Sequence, residues 1–186
     1  MNKIGIIFGT DSGTTRLIAK KIASKLGDLA DKPININRIG IADLLKYDAL
    51  IIGTPTYGVE QLPGVSTGIA NGSWEDFLPQ LEGADLSGKV IALYGLGNQD
   101  KYSDRFVDSM YYLYDVLKQR GATFIGGWDT EGYSFDASRA VIDGKFVGLV
   151  LDQNNQAILT DQRIDTWLEQ IKPMLVEELE TAVATY

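Results

Sequence analysis

The sequence predicts an α/β fold in which helices cover both faces of a doubly wound parallel sheet. Apolar runs typical of buried strands alternate with segments of helical periodicity, and the connections between them are short. The 186 residues are 45% apolar, which is enough for a substantial core. We therefore expect a single domain over residues 1–186, without an internal repeat.

The first half of the chain supplies three strands and two helices. Residues 4–8 are apolar throughout, and a helical pattern with apolar residues four apart then runs to Leu26. Residues 33–38 predict a weak second strand, because two isoleucines alternate with two asparagines. A short helix over 41–46 and a buried third strand over 49–53 follow.

The second half continues the alternation. Residues 89–94 predict the fourth strand, and residues 104–120 form an amphipathic helical pattern that a glycine ends. The fifth strand begins at 123–126 and resumes at 146–151, after a polar interruption of about 20 residues.

The last helix is predicted to open at Asp161. Pro173 should end or kink it, because proline lacks the N–H that a helix interior needs. Residues 177–186 are then either a further turn of helix or a loose tail.

Composition excludes several kinds of chemistry. The chain has no Cys and no His, which removes disulfides, thiolate metal sites, Cys nucleophiles and Ser-His-Asp catalysis. The net charge of −8 argues against nucleic acid and anionic membranes as partners and favours a basic protein. No window approaches the roughly 20 apolar residues of a membrane span. The first strand starts at once, without a signal peptide, so we expect a cytoplasmic protein.

An anion site is predicted directly after the first strand, in the phosphate loop (residues 10–15). A strand, a turn of glycine and hydroxyl residues, and a helix N-terminus bring backbone N–H groups and the positive end of a helix dipole together. The loop lacks both Gly-Lys-Ser/Thr and Gly-x-Gly-x-x-Gly, and it suits one terminal phosphate held by neutral donors. A threonine cap that binds nothing is the alternative.

Two further loops should meet at the same edge of the sheet. The loop after strand three carries Tyr57, and the loop after strand four carries Tyr102. Either tyrosine alone could be simple surface packing. Two rings near a phosphate site indicate a planar aromatic mononucleotide.

These segments resemble the long-chain flavodoxins over nearly the whole chain. The phosphate loop is similar to that family's Thr/Ser-x-Thr/Ser-Gly-x-Thr, residues 55–57 to its Pro-Thr-aromatic segment, and residues 95–102 to its Gly-x-Gly-Asp-Gln-x-x-Tyr. The resemblance implies a flavodoxin-like five-stranded sheet of order 2-1-3-4-5, with strand five interrupted, and non-covalently bound FMN. The cofactor-binding residues that it implies are Thr10, Asp11, Ser12, Gly13, Thr14, Thr15, Pro55, Thr56, Tyr57, Gly58, Val59, Gly95, Leu96, Gly97, Asn98 and Tyr102.

The function that the resemblance implies is low-potential, one-electron transfer, without enzymatic activity. FMN would shuttle between semiquinone and hydroquinone, helped by a backbone flip at Gly58. Partners would be basic redox proteins, such as a ferredoxin/flavodoxin reductase-type donor and a nitrogenase reductase or other low-potential acceptor, met by a monomer. The alternative is an FMN-dependent NAD(P)H or quinone reductase on the same fold.

Two departures from the family pattern stand out. Asn98 replaces the usual Asp near the flavin pyrimidine; it can still accept a bond from N3–H, but it removes a negative charge. Residues 62–74 form an extended loop that resembles the one in flavodoxins serving nitrogenase, although a tolerated surface insertion explains it equally well. The acidic residues expected on the partner face are Glu60, Glu75, Asp76, Asp100, Asp104, Asp129 and Glu131.

Overall fold

A computed structural model describes residues 2–10, 12–56 and 61–184. All five predicted strands are present. They are β1 Gly5–Phe8, β2 Ile34–Asn35, β3 Ala49–Pro55, β4 Val90–Leu96 and β5 Thr123–Ile125, the last being the first half of strand five. The helices are α1 Thr14–Leu26, α2 Ile41–Leu44, α3 Trp74–Phe77, α4 Asp108–Gln119 and α5 Thr160–Ala184. Helix α3 was not predicted.

The interruption of strand five forms a small antiparallel sheet of its own. Its strands β6 Trp128–Asp129, β7 Val141–Ile142 and β8 Lys145–Phe146 are arranged in the order β6-β8-β7. The chain then returns to the main sheet as β9 Leu149–Leu151. Phe146 therefore belongs to the small sheet, and the main-sheet strand resumes at Leu149, three residues later than the predicted 146–151.

The main sheet has the order β2-β1-β3-β4-β5, with β9 also paired to β4, and every pairing is parallel. One end of β4 pairs with β5 and the other end with β9, so β5 and β9 are two halves of one strand. This confirms the predicted order and the interrupted fifth strand.

Both faces of the sheet are covered, as the doubly wound prediction requires. On one face Ile18 and Ile22 of α1 and Trp167 of α5 are fully or almost fully buried. On the other face Trp74 of α3 and Met110 of α4 are fully buried. Helices α1 and α5 lie side by side, joined by ion pairs from Lys21 to Asp161 at 2.7 Å and from Lys25 to Asp165 at 2.6 Å.

Local boundaries differ from the predictions for identifiable reasons. The second strand has only two residues, because Asn35 accepts a hydrogen bond from the Asn37 N–H and turns the chain into a 3-10 helix over Ile36–Arg38. Helix α4 begins at Asp108 and not at residue 104, because Val107 adopts a left-handed backbone with φ 53°.

Helix α5 passes through Pro173 and continues to Ala184, so of the two predicted effects of this proline, an end or a kink, the end is wrong. Pro173 is exposed, which leaves the carbonyl that it cannot bond on the solvent side. Ile171 and Leu175, on either side of it, are fully buried against the sheet. Packing therefore outweighs the lost hydrogen bond, and for residues 177–184 the alternative of further helix is the correct one.

None of the helices in the described residues has both the length and the apolar character needed to cross a bilayer.

Candidate functional site

The phosphate loop is closed by its own residues. The Gly13 N–H donates to Thr10 Oγ1 at 3.0 Å, and Ser12 Oγ lies 3.3 Å from Thr14 Oγ1. Gly13 is the N-cap of α1 and has φ 93°, a left-handed conformation that glycine adopts without strain. The chain can therefore turn sharply from the strand into the helix. Asp11, which the sequence also assigns to this loop, lies outside the described residues.

The N-terminus of α1 has no side-chain cap among the residues that the structure describes. The first N–H groups of a helix have no acceptor inside the helix, and they carry the positive end of its dipole. Thr14 and Thr15 thus present backbone donors at the point where the sequence predicts a phosphate, and Thr15 is almost fully buried. This geometry suits an anion held by neutral donors.

Tyr94, in strand β4, fixes the first turn of α1 by a hydrogen bond. Its ring is fully buried, and its hydroxyl donates to the Thr15 carbonyl at 2.9 Å. Burial raises the pKa of this hydroxyl above its ordinary value, so it remains a neutral donor. The ring packs against Gly53, where an added Cβ would stand 2.0 Å from Tyr94 Cζ. No sequence pattern indicates this role, since Tyr94 looks like an ordinary strand residue.

The extended loop (residues 62–74) is held by hydrogen bonds of its own, and its last residue packs at the start of the phosphate loop. A 3-10 turn at Val65–Thr67 is fixed by the Glu75 carboxylate, which accepts a bond from Ser66 Oγ at 2.6 Å. The loop ends at Trp74, whose fully buried indole donates to the Gly53 carbonyl at 2.9 Å. A Cβ on Gly9 would meet Trp74 Cδ1 at 2.5 Å. The loop therefore places a large ring directly against the residue that precedes the phosphate loop.

Trp74→Phe is expected to cost about 1–3 kcal/mol of unfolding free energy, because it removes a buried hydrogen bond and leaves part of the indole volume empty. Urea denaturation followed by circular dichroism measures this loss. Trp128→Phe is the matched control: that indole is only half-buried and donates to the Tyr133 hydroxyl, far along the chain from the phosphate loop. An equal or larger loss in the control would contradict the supporting role of Trp74.

Most of the predicted site residues come together around one cavity of about 310 Å³, called the smaller cavity below. It extends from the phosphate loop to the loop after β4. The predicted residues that line it are Ser12, Thr14, Thr15, Pro55, Thr56, Leu96, Gly97, Asn98 and Tyr102. Thr10 and Gly13 line a neighbouring cavity. Gly95 lines neither cavity and packs beneath Met110. Tyr57, Gly58 and Val59 lie outside the described residues, and with them the second ring and the proposed flip.

Four lining residues were not predicted: Lys101, Val107, Gln153 and Asn154. Val107 lines the cavity because its left-handed backbone, just before α4, turns it there, and no sequence pattern indicates this conformation. Gln153 and Asn154 follow the second half of strand five, so their position depends on the strand interruption. Lys101 directly precedes Tyr102, so the segment 95–102 could have indicated it as a lining residue as well.

Tyr102 is half-buried and has cations on its ring. Lys101 Nζ lies 5.2 Å from the ring centroid, and Arg105 Cζ lies 5.9 Å from it. The backbone of the loop is fixed by Asn98: its carbonyl accepts the Tyr102 N–H at 2.9 Å, and its Oδ1 accepts the Lys101 N–H at 3.0 Å. Asn155 Nδ2 donates to the same Oδ1 at 2.9 Å. With two bonds already made, this oxygen would have to give up one of them to accept a flavin N3–H.

A buried carboxylate joins this loop to the end of strand five. Asp152, which is 1% exposed, accepts bonds from the backbone N–H of Gln99 at 3.0 Å and from Asn155 Nδ2 at 2.8 Å. Gln99 in turn accepts the Ser134 N–H at 2.6 Å. The loop that carries Tyr102 is therefore fixed to the end of strand five by hydrogen bonds.

Four of the acidic residues expected on the partner face already form hydrogen bonds or ion pairs within the chain. Glu75 and Asp76 accept hydrogen bonds within the extended loop. Asp104 pairs with Arg105 and Asp129 with Lys145, each at 3.1 Å. Asp100 and Glu131 are exposed, and Glu60 lies outside the described residues. Together with Lys101 and Arg105, these residues make the rim a mixture of both charges.

The fold and site define a protein of the flavodoxin class, and comparison with known proteins agrees. The Flavodoxin family model matches residues 6–167. A flavodoxin from Klebsiella pneumoniae is 52% identical over 172 residues, covering 92% of this chain and 98% of that protein. A flavodoxin from Synechocystis sp. is 41% identical over 176 residues, covering 94% and 99%.

A solved structure gives the same result. The Fusobacterium nucleatum flavodoxin bound to flavin mononucleotide is 35% identical, with a TM-score of 0.83, and the match covers 94% of this chain and 99% of that one. This chain belongs to the flavodoxin family. It is accordingly an electron-transfer protein rather than an enzyme.

Proposed function

We propose that the smaller cavity binds FMN non-covalently and that the protein is a low-potential, one-electron carrier that shuttles between the two reduced states of this cofactor. The observation that carries the proposal is the shape of the cavity. At one end it meets a helix N-terminus that has no side-chain cap among the described residues, and at the other a half-buried tyrosine ring. The flavin, once bound, would supply the electron chemistry.

The residues present fit FMN. Its phosphate would take the N–H groups of Thr14 and Thr15 and the nearby hydroxyls, and its ring system would lie against Tyr102. The relative from Fusobacterium nucleatum binds the same cofactor. The charges of Lys101 and Arg105 at the rim, with the exposed acids beside them, would orient the partner protein.

An anaerobic dithionite titration of the purified protein tests the proposal. A yellow protein that turns blue with the first electron and colourless with the second would support a one-electron carrier. Bleaching in a single two-electron step would contradict one-electron transfer. A colourless protein that failed to bind added FMN would refute the cofactor.

Asn98→Asp is expected to lower the potential of the second one-electron reduction while leaving the loop intact. A carboxylate can accept the same bonds from the Lys101 N–H and Asn155 Nδ2. The added charge at a half-buried position is worth on the order of 1 kcal/mol, or about 40 mV for one electron. Potentiometric titration measures the shift.

Asn2→Asp is the control for this prediction, because it makes the same chemical change at an exposed position before β1, at the amino end of the sheet. Its potential should stay within about 10 mV of the wild type. Equal shifts in the two variants would mean that the local position of Asn98 does not matter.

We propose nitrogenase reductase as the acceptor to test first, because the extended loop resembles that of flavodoxins serving nitrogenase. Val65 at the tip of this loop is 58% exposed, so it is accessible to a partner. The reduced protein should support acetylene reduction by purified nitrogenase, and Val65→Lys should slow it. Failure with the wild type would remove this acceptor and leave the carrier proposal standing. The monomeric state and the cytoplasmic location remain predictions.

A further inference from the structure

A second cavity lies against the other side of the phosphate loop. Its volume is about 620 Å³, roughly twice that of the smaller cavity, and it is called the larger cavity below. The two cavities share Ser12 as a lining residue. The wall of the larger cavity away from the phosphate loop comes from the end of β2 and from the extended loop, which contribute Asn35, Asn37 and Asn71. The charged residues among its described lining are Arg16 and Arg38.

Neither arginine of this cavity forms an ion pair with a residue that the structure describes, and each is exposed. The described lining also contains no carboxylate, although the whole chain carries a net charge of −8. Two guanidinium groups in one concave site are therefore an exception to the acidic character of the molecule.

Arg16 folds back towards the phosphate loop, and hydrogen bonds fix the opposite wall of the cavity. Arg16 lies in the first turn of α1 but folds back, so that its Nη2 is 3.5 Å from the place where a Cβ on Gly13 would stand. Across the cavity, the Asn35 side chain accepts the Asn37 N–H at 3.2 Å, and Asn37 Nδ2 donates to the Gly72 carbonyl at 3.4 Å. The end of β2 is thereby joined to the extended loop.

We propose that the larger cavity is an anion site for a phosphate-bearing small molecule, distinct from the site of the FMN phosphate. The planar fork of a guanidinium matches two phosphate oxygens at once, and two such groups suit a dianion. The asparagine side chains add neutral donors, and the positive end of the α1 dipole lies on the same side. The proposal goes beyond electron transfer and rests on this cavity, not on the cofactor of the smaller one.

The test is isothermal titration of the FMN-loaded protein, in a low-chloride buffer, with inorganic phosphate, pyrophosphate and AMP. One equivalent should bind while the flavin spectrum stays unchanged. Arg38→Gln should weaken binding about tenfold or more, because a charged hydrogen-bond donor is lost. Lys20→Gln removes one charge from the next turn of α1, outside the cavity, and should change the affinity less than twofold.

The outcomes separate the sources of the ligand. Tighter binding of AMP than of phosphate would support a nucleotide ligand, and equal binding would support recognition of the phosphate group alone. The proposal is overturned if the loaded wild type binds none of the three anions, or if Arg38→Gln and Lys20→Gln weaken binding equally. Binding only when FMN is absent would also overturn it, because the anion would then occupy the FMN phosphate site. A protein that never binds FMN is recognised by its missing colour, so the two proposals fail separately.

Discussion

Gly53→Ala is expected to cost about 3 kcal/mol of unfolding free energy and to weaken FMN binding at least tenfold. The added methyl group would stand 2.0 Å from Tyr94 Cζ on the neighbouring strand. Tyr94 has no room to move away, because its ring is fully buried and its hydroxyl holds the Thr15 carbonyl. Any displacement of the ring therefore reaches the phosphate loop. Urea denaturation gives the loss of stability, and titration of the apoprotein with FMN gives the loss of affinity.

Gly40→Ala is the control for Gly53→Ala. Gly40 has φ −102°, and a Cβ there would find its nearest neighbour, Gln80 Oε1, at 3.7 Å. This variant should bind FMN as tightly as the wild type. If Gly53→Ala kept wild-type FMN affinity despite a lower stability, Tyr94 would have no part in shaping the phosphate loop.

Tyr102→Ala is expected to weaken FMN binding by roughly 5- to 150-fold, since stacking of a planar base on an aromatic side chain is worth about 1–3 kcal/mol. The ring lines the smaller cavity, and the backbone of its loop is held by Asn98 independently of the tyrosine side chain. Loss of the ring should therefore leave the loop in place. Quenching of FMN fluorescence on titration with apoprotein measures the affinity.

Tyr102→Phe separates the ring from its hydroxyl. It keeps the aromatic face against the cavity and should bind within about threefold of the wild type. Wild-type affinity in Tyr102→Ala would refute stacking on this residue and leave the opposite side of the cavity as the main contact.

The parallel sheet could be predicted because its strands are buried on both faces. Residues 49–53 and 89–94 are almost wholly apolar, and every residue of β3 up to Thr54 is buried. The interrupted strand was predictable from two apolar segments that flank a polar one. The positions of the phosphate loop and Tyr102 followed from the rule that parallel strands end at one edge of the sheet.

The remaining features depend on contacts that leave no local pattern. Nothing near Tyr94 in the sequence indicates that its hydroxyl reaches a residue 79 positions away. Asp152 looks like a surface carboxylate until the fold brings Gln99 over it. The course of α5 beyond Pro173 was left open, because the preference of the backbone was judged without the packing of Ile171 and Leu175. Arg16 lies outside the phosphate loop in the sequence, and only the fold brings its side chain back towards Gly13.

The pairing of the first and last helices has a consequence for how the chain folds. The ion pairs between α1 and α5 join residues 140 positions apart, so that face of the sheet closes only after nearly the whole chain has been gathered. The entropy of that loop closure must be paid before Ile164 and Trp167 gain their buried contacts. We expect a rate-limiting step late in assembly, slower than in helical proteins of local topology. Trp167 donates to the Gly126 carbonyl at 2.8 Å once α5 is in place, so its fluorescence would report when that step occurs.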